Sequence, residues 1–301
     1  MAAYRLYQID AFTRAAFTGN PAGVMPDARG LSDAAMQAIA REMNVSETAF
    51  VFPEAGDGHD MTVRFFTPTT EVPICGHATI AAHWILALEG ALDGIVHQKT
   101  GAGVLPVEIE RQGDVTRIWM TQAPAVFEAP LAQDVCDAVY EALGVPPSAI
   151  GAFAPVSVVS TGHSKVIVPL SSDEALQTLR PDLQALAQLS ARIGSNGFYP
   201  FVLKPLNEEV LAHGRMFAPA IGIAEDPVTG NAAGPLGAYL ARHGLLPTTV
   251  GQPTRFKVRQ GQAIGRPGTV LVEVQRRTGS YQVRIAGEAV AVFSTEIEVP
   301  A

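Results

Sequence analysis

RFFTP at residues 64–68, followed by CGHATIAAHWILALEG at 75–90, reads against RMFAP at 215–219, followed by TGNAAGPLGAYLARHG at 229–244. Arg64, Phe66 and Pro68 answer to Arg215, Phe217 and Pro219. The interval from Gly76 to Gly90 equals that from Gly230 to Gly244, fourteen residues in each. A strand, a glycine turn and a helix of fixed length therefore occur twice. A repeat distance of about 150 residues is that of a duplicated domain and not of a solenoid. A helix start presents unpaired N–H groups and a partial positive charge. Two such starts facing each other form a cradle for a carboxylate. The duplication predicts two domains with a small acidic ligand held between them.

Working outward, the opening YRLYQIDAF (4–12) alternates as a strand. FTGNPAGV (17–24) begins with turn chemistry. Ser32 is placed to cap a helix ending at Met43. TAFVF (48–52) and MTVRFFT (61–67) read as strands on either side of the polar EAGDGH (54–59). His77 to Glu89 is apolar on most faces, which predicts a buried helix stopped at Gly90. VLPVEIERQGDVTRIWMTQ (104–122) reads as a hairpin, and the Pro/Ala-rich APAVFEAP (123–130) as an interdomain linker.

The second half follows a similar order. VSVVSTG leads into HSKVIVP (156–169) much as QIDAFTRAAFTG leads into NPAGVMP (8–26). Thr18-Gly19 answers to Thr161-Gly162, and Pro26 to Pro169, at equal spacing. Residues 173–193 read as helix broken at Pro181. GFYPFVL (197–203) and LAHGRMFAP (211–219) read as strands. Asn231 to His243 is the second buried helix, with Pro235 expected in its first turn. Three strands close the chain: RFKVRQG, TVLVEVQRR and one long YQVRIAGEAVAVFSTEIEV (281–299). The class is α+β, mostly antiparallel sheet around one long buried helix per half.

Composition narrows the function. The 301 residues are 48% hydrophobic and 17% charged, as in a well-buried globular protein. A net charge of −8 argues against a broad basic face for nucleic acid. An acidic protein that binds an acid needs a local positive site, which returns the argument to the helix starts. Two cysteines, Cys75 and Cys136, make neither a disulfide framework nor a metal cluster. The N-terminus shows no charged segment before an apolar one, and no apolar run reaches the ~18 residues of a membrane span. The expectation is a cytoplasmic protein. No phosphate-binding GxxxxGK[ST], no GxGxxG between a strand and a helix, no HExxH and no GxSxG occurs.

Glu47 is an acid at the entry of an apolar strand, placed either as a general acid/base or as a solvated strand-end carboxylate. His77 follows Gly76 at a helix start, where it can bind substrate, shuttle a proton or make a cap contact. Asp226 precedes the second helix start. It is either an Asx turn or a carboxylate that orients His77 or holds a substrate amine or hydroxyl. Thr229 and Asn231 offer polar contacts beside it. Cys75 sits where a helix start favours the thiolate, but its counterpart is Thr229, so no symmetric pair of thiols exists.

Together IDAFT, FTGNPAGV, SETAFV, RFFTPTTEVPICGHAT and FAPAIGIAEDPVTGNAAG resemble, in order and over essentially the whole chain, the phenazine-biosynthesis isomerase family, the PhzF-like proteins. The resemblance implies the diaminopimelate-epimerase-like fold: two similar domains, each a curved sheet around a central helix, with the site between them. On this reading the first domain covers 1–118 plus a returning strand over about 288–301, and the second covers 119–287. It implies a homodimer, no metal and no organic cofactor. The implied reaction is proton-transfer isomerisation of a small carboxylate, as in trans-2,3-dihydro-3-hydroxyanthranilate isomerase. Glu47 would be the acid/base, with His77 and Asp226 as polar partners. Cys75, Gly76, Thr229, Gly230, Asn231 and Asn20 would line the substrate. The family's phenazine enzymes carry a small hydroxyl residue where this chain has Asn231. Two other readings stand beside it: a Cys75-dependent epimerase or hydroxyproline-type dehydratase, and a non-catalytic binder of small acids.

Overall fold

Side-chain oxygens of Ser32, Ser172 and Asp182 start three helices of the protein, and left-handed Asn44, Gly144 and Gly194 end three. Its computed structural model describes residues 2–299. Met1, Pro300 and Ala301, at the ends of the expected first domain, lie outside the described residues. The chain divides into one unit of Met1–Thr121 with Ala286–Ala301 and another of Gln122–Ile285.

The first unit runs β1 (Ala2–Ala11), β2 (Asn20–Met25), α1 (Asp33–Met43), β3 (Glu47–Phe52), β4 (Met61–Phe66), β5 (Glu71–Val72), α2 (Gly76–Leu88), β6 (Gly94–Thr100), β7 (Gly103–Gln112) and β8 (Val115–Thr121). Ser32 Oγ accepts from Ala35 N at 3.2 Å to start α1, and left-handed Asn44 ends it. The crossover through α1 makes β2 and β3 parallel, while β1–β2, β3–β4, β6–β7 and β7–β8 are antiparallel. Met36, Ile39 and Ala40 of α1 pack with Leu6, Met25, Phe50 and Phe66. α2 is buried almost all round and packs against β1, β2, β3, β7 and β8.

The second unit runs β9 (Val126–Pro130), α3 (Gln133–Leu143), β10 (Ser157–Ser160), β11 (Ser164–Leu170), α4 (Asp173–Thr178), α5 (Leu183–Ile193), β12 (Phe198–Leu203), β13 (Val210–Gly214), β14 (Met216–Ala218), β15 (Ile223–Asp226), α6 (Gly230–Arg242), β16 (Pro253–Gln260), β17 (Gly268–Arg277) and β18 (Ser280–Gly287). The final strand, β19 (Ala289–Val299), pairs antiparallel with β1 of the first unit. β11 and β12 are parallel, repeating the crossover, here made through α4 and α5. Asp182 caps α5 directly after Pro181, which has no N–H to continue α4. α3 and α5 pack their leucines and valines onto Val158, Val166, Val168 and Phe198. α6 packs against β10, β11 and β17.

The duplicated stretches have matching local structure. α2 and α6 are each thirteen residues long. Gly90 and Gly244, just past their ends, have φ of +77° and +71°, values that favour glycine. Arg64 reaches Glu71 through two hydrogen bonds and lies 5.2 Å from the Phe66 ring centre. Arg215 does the same with Glu225 and Phe217, at 5.0 Å from the ring.

Three local expectations are corrected. The stretch read as a linker contains β9, whose Val126 and Phe127 pair with Ser160 and Val159 of β10. Pro124 precedes the strand, and Pro130 is its last residue, still in register with Ser157. The long closing strand breaks at Glu288, whose carbonyl accepts from Phe12 N at 2.7 Å. Pro235 is the sixth residue of α6, beyond the first turn, so it deprives Asn231 of its i+4 donor.

Candidate functional site

Glu47 is the first residue of β3, in register with Ala22 of β2. Its side chain is 16% exposed, and Oε2 lies 3.2 Å from His77 Nε2. Ser46 Oγ lies at the same 3.2 Å from Nε2. On the other side of the ring, Nδ1 is 3.4 Å from Cys75 Sγ. His77 is the second residue of α2, Gly76 the first, and Cys75 the cap residue. No side chain caps this helix, so its first N–H groups have no acceptor from the cap residue's side chain. Thr79 Oγ1 donates to the Cys75 carbonyl at 2.7 Å, holding that turn. Asn20 opens β2, two residues before Ala22, and is fully buried. The first unit thus brings Glu47, Cys75, Gly76 and His77 together, and adds Ser46.

One imidazole between a carboxylate and a thiol is a chain for moving protons. With Nε2 protonated, the ring donates to Ser46 Oγ and Nδ1 accepts from the Cys75 thiol, while Glu47 Oε2 lies 3.2 Å from Nε2 without a hydrogen-bond partner among the described residues. A proton that leaves Glu47 or Cys75 has a neighbour to take it. The same three donor types also lie close enough to contact one cation, all within 4.8 Å.

The second unit builds a different set at the matching place. Asp226 ends β15, and Thr229 is the cap residue of α6, again with no side-chain cap. Thr229 Oγ1 donates to Asp226 Oδ2. Gln260, the last residue of β16, holds both: its Nε2 donates to the Asp226 carbonyl at 2.8 Å and to Thr229 Oγ1 at 3.1 Å. Its Oε1 accepts from Thr229 N at 3.2 Å and from Tyr199 OH at 3.3 Å. Tyr199 is fully buried, and burial, aided by the Asp226 carboxylate, pushes its phenol above the usual value. Asn231 Oδ1 and the Gly230 carbonyl accept from Gln122 Nε2, and Gln122 Oε1 accepts from Thr161 Oγ1 at 2.7 Å. Lys165 of β11 is 6% exposed and donates to the Ser164 carbonyl at 3.0 Å. Burial pulls its amine down to about 8, with the Asp226 carboxylate acting the other way.

Asp226, Thr229, Gly230 and Asn231 lie together at the start of α6. Gln260, Tyr199, Gln122 and Lys165 escaped the sequence reading. A glutamine ending a strand and a tyrosine inside GFYPFVL carry no periodic signal of their own. Lysine inside the apolar run VIVP-flanked SKVIVPL was a usable one.

Comparison with known proteins agrees with this architecture. The family described as "Phenazine biosynthesis-like protein" matches residues 9–295. An uncharacterised isomerase of Clostridium acetobutylicum is 49% identical, over 98% of this chain and 98% of that one. Trans-2,3-dihydro-3-hydroxyanthranilate isomerase of Pseudomonas fluorescens is 35% identical, over 94% and 95%. The crystal structure of a PhzF-family phenazine biosynthesis protein of Bacillus anthracis superposes with a TM-score of 0.88 at 31% identity, covering 99% and 100%. A hydroxyproline epimerase of Agrobacterium vitis shares the fold, with a TM-score of 0.64 at 13% identity, covering 99% and 91%. The same α+β fold thus spans that epimerase and this chain. Among the described residues no helix is long and apolar enough to cross a membrane. With a match over nearly its whole length and isomerases among its relatives, this chain belongs to the phenazine biosynthesis-like family and is one of its isomerases.

Proposed function

We propose that the protein moves a proton within a small carboxylated substrate, without a cofactor, on trans-2,3-dihydro-3-hydroxyanthranilate or a close analogue. The observation that carries this reading is the 3.2 Å contact between Glu47 Oε2 and His77 Nε2 on a nearly buried pair. Glu47 takes the proton from one carbon as a base and returns it to another as an acid. His77 fixes the carboxylate and exchanges protons with it. Asp226, braced by Thr229 and Gln260, receives the substrate's amine or hydroxyl. The uncapped starts of α2 and α6, with Asn20 and Asn231, receive the carboxylate. In this proposal the protein works as a cytoplasmic homodimer.

A thiol-based epimerase or dehydratase is the second reading, favoured by the 3.4 Å contact of Cys75 Sγ with His77 Nδ1. The test is a spectrophotometric assay on trans-2,3-dihydro-3-hydroxyanthranilate in deuterated buffer, with wild type and Glu47→Gln side by side. Turnover with deuterium incorporation that disappears in the variant supports the isomerase. Binding without any exchange from solvent would instead identify a carrier of small acids.

A further inference from the structure

The duplicated halves place different side chains at one corresponding position. In the first unit Ala22 of β2 is in register with Glu47 of β3. The match of Thr18-Gly19 with Thr161-Gly162 sets Lys165 of β11 against Ala22. In the second unit Val166 is in register with Phe198, and Val166 N donates to the Gly197 carbonyl at 2.8 Å. Gly197 is therefore the counterpart of Glu47. In-register neighbours of a parallel pair share a face of the sheet. One unit carries a methyl group on the first strand and an acid on the second. The other carries a lysine on the first and no side chain on the second.

Geometry explains the exchange. A Cβ at Gly197 would fall 2.5 Å from Lys165 Cδ and 2.9 Å from Cε. The space left by the missing side chain is the slot that the lysine stem fills. The amine itself is buried, and its hydrogen bond goes to the adjacent Ser164 carbonyl. An ammonium group has three N–H donors, so this arrangement leaves two for a ligand. Around it stand the Asp226 carboxylate, His163 and Met216. A buried amine opposes folding unless something compensates it. Such groups concentrate at binding sites.

We propose that Lys165 is a substrate-binding residue of the second unit whose ammonium group joins the helix starts in receiving the ligand's carboxylate; its stem fills the slot at the counterpart of Glu47, and its charge is the opposite one. The inference rests on the reading of the substrate as a small carboxylate. It supplies what the chain's charge of −8 demands, a local cation for an anionic ligand.

The test is calorimetric binding of anthranilate, and of aniline as its counterpart without the carboxylate, to wild type, Lys165→Met, Gly197→Ala and Glu47→Gln. Methionine fills the slot without charge. Alanine at 197 keeps the charge but displaces the stem. Both should weaken anthranilate by about tenfold or more, the loss of one charge-assisted hydrogen bond, and leave aniline unchanged. Glu47→Gln should keep anthranilate binding. Thermal melts establish that each variant is folded, and Gly197→Ala decides alone if Lys165→Met does not fold. Equal anthranilate affinity in wild type and a folded slot variant overturns the proposal, as does absence of anthranilate binding to wild type. No turnover of dihydrohydroxyanthranilate, with the Lys165 dependence intact, would sink the isomerase reading and leave this one standing.

Discussion

His77 stands 3.2 Å from Glu47 and from Ser46 on one side and 3.4 Å from Cys75 on the other. Substitution separates their roles. A positioned acid/base contributes roughly 10²–10⁴-fold. Glu47→Gln keeps the shape and removes the base, so kcat should fall by that factor. Cys75→Ser keeps a small hydrogen-bonding group beside His77, and kcat should stay within about tenfold of wild type if the thiol only orients the ring. The reverse order in steady-state kinetics would transfer the chemistry to the thiol. Lys165 makes a prediction of the opposite kind. Its amine is depressed from 10.5 to about 8 in the folded protein. Between those values the unfolded chain holds the extra proton, so stability rises with pH through that window. Below pH 8 the whole cost of burying the charge remains, about 3 kcal/mol. Lys165→Met should therefore raise the urea midpoint at pH 7 while weakening the ligand. A lowered midpoint would mean that the lysine is a structural group.

At the scale of elements, the duplicated arginines look alike but should not weigh alike. Arg64 is 27% exposed and bridges Asp33 and Glu71, both substantially solvated. Exposed pairs contribute about 0–1 kcal/mol, so Arg64→Met should change stability by no more than that. Arg215 is 6% exposed, holds Glu225 by both oxygens, and donates to the carbonyls of Leu176 and Leu179 where α4 ends. Arg215→Met strands a buried carboxylate and two carbonyls, at a cost of about 3–5 kcal/mol. Chemical denaturation of the two variants measures the contrast, and equal losses would refute it. The repeat itself was legible because it rests on spacing: two helices bounded by glycines, and an arginine two residues before a phenylalanine. α1 was legible from Ser32, and the break before α5 from Pro181. Glu47 stood out as a charge at the mouth of an apolar strand. β9 was not legible, because Pro124 and Pro130 at its two ends make a linker look plausible, yet Pro130 sits in register with Ser157. Tyr199 and Gln260 meet only through the fold, on strands sixty-one residues apart, and no local pattern announces such a contact. Lys165 was within reach: aligning the halves sets it against an alanine, a position where a lysine is out of place.

For the molecule as a whole, the buried helix α2 carries an acid-sensitive weakness independent of any ligand. His83 is fully buried in it; Nδ1 donates to the Thr79 carbonyl at 3.0 Å, and Nε2 meets no hydrogen-bond partner among the described residues. Burial lowers its pKa from 6.5 to about 4, so the folded state keeps the ring neutral where the unfolded chain protonates it. The unfolded state then holds more protons between those values, and stability falls as pH drops through 6.5 toward 4. Integrated from pH 7.5 to 5.5, the loss from this ring is about 1 kcal/mol. The window is chosen above the range in which Asp27, Asp33 and Asp173, all held below the usual carboxylate range by cationic partners, begin to lose charge. His163 and His243, also lowered by burial, add the same sign of effect and make the total larger. Comparison with His83→Leu isolates the one ring. Leucine fills similar volume and leaves the Thr79 carbonyl to the helix. Its unfolding free energy should fall by about 1 kcal/mol less than that of wild type over the same pH interval. Parallel pH dependence in the two proteins would show that α2 admits a charged ring, and that the core of the first unit is wetter than its packing implies.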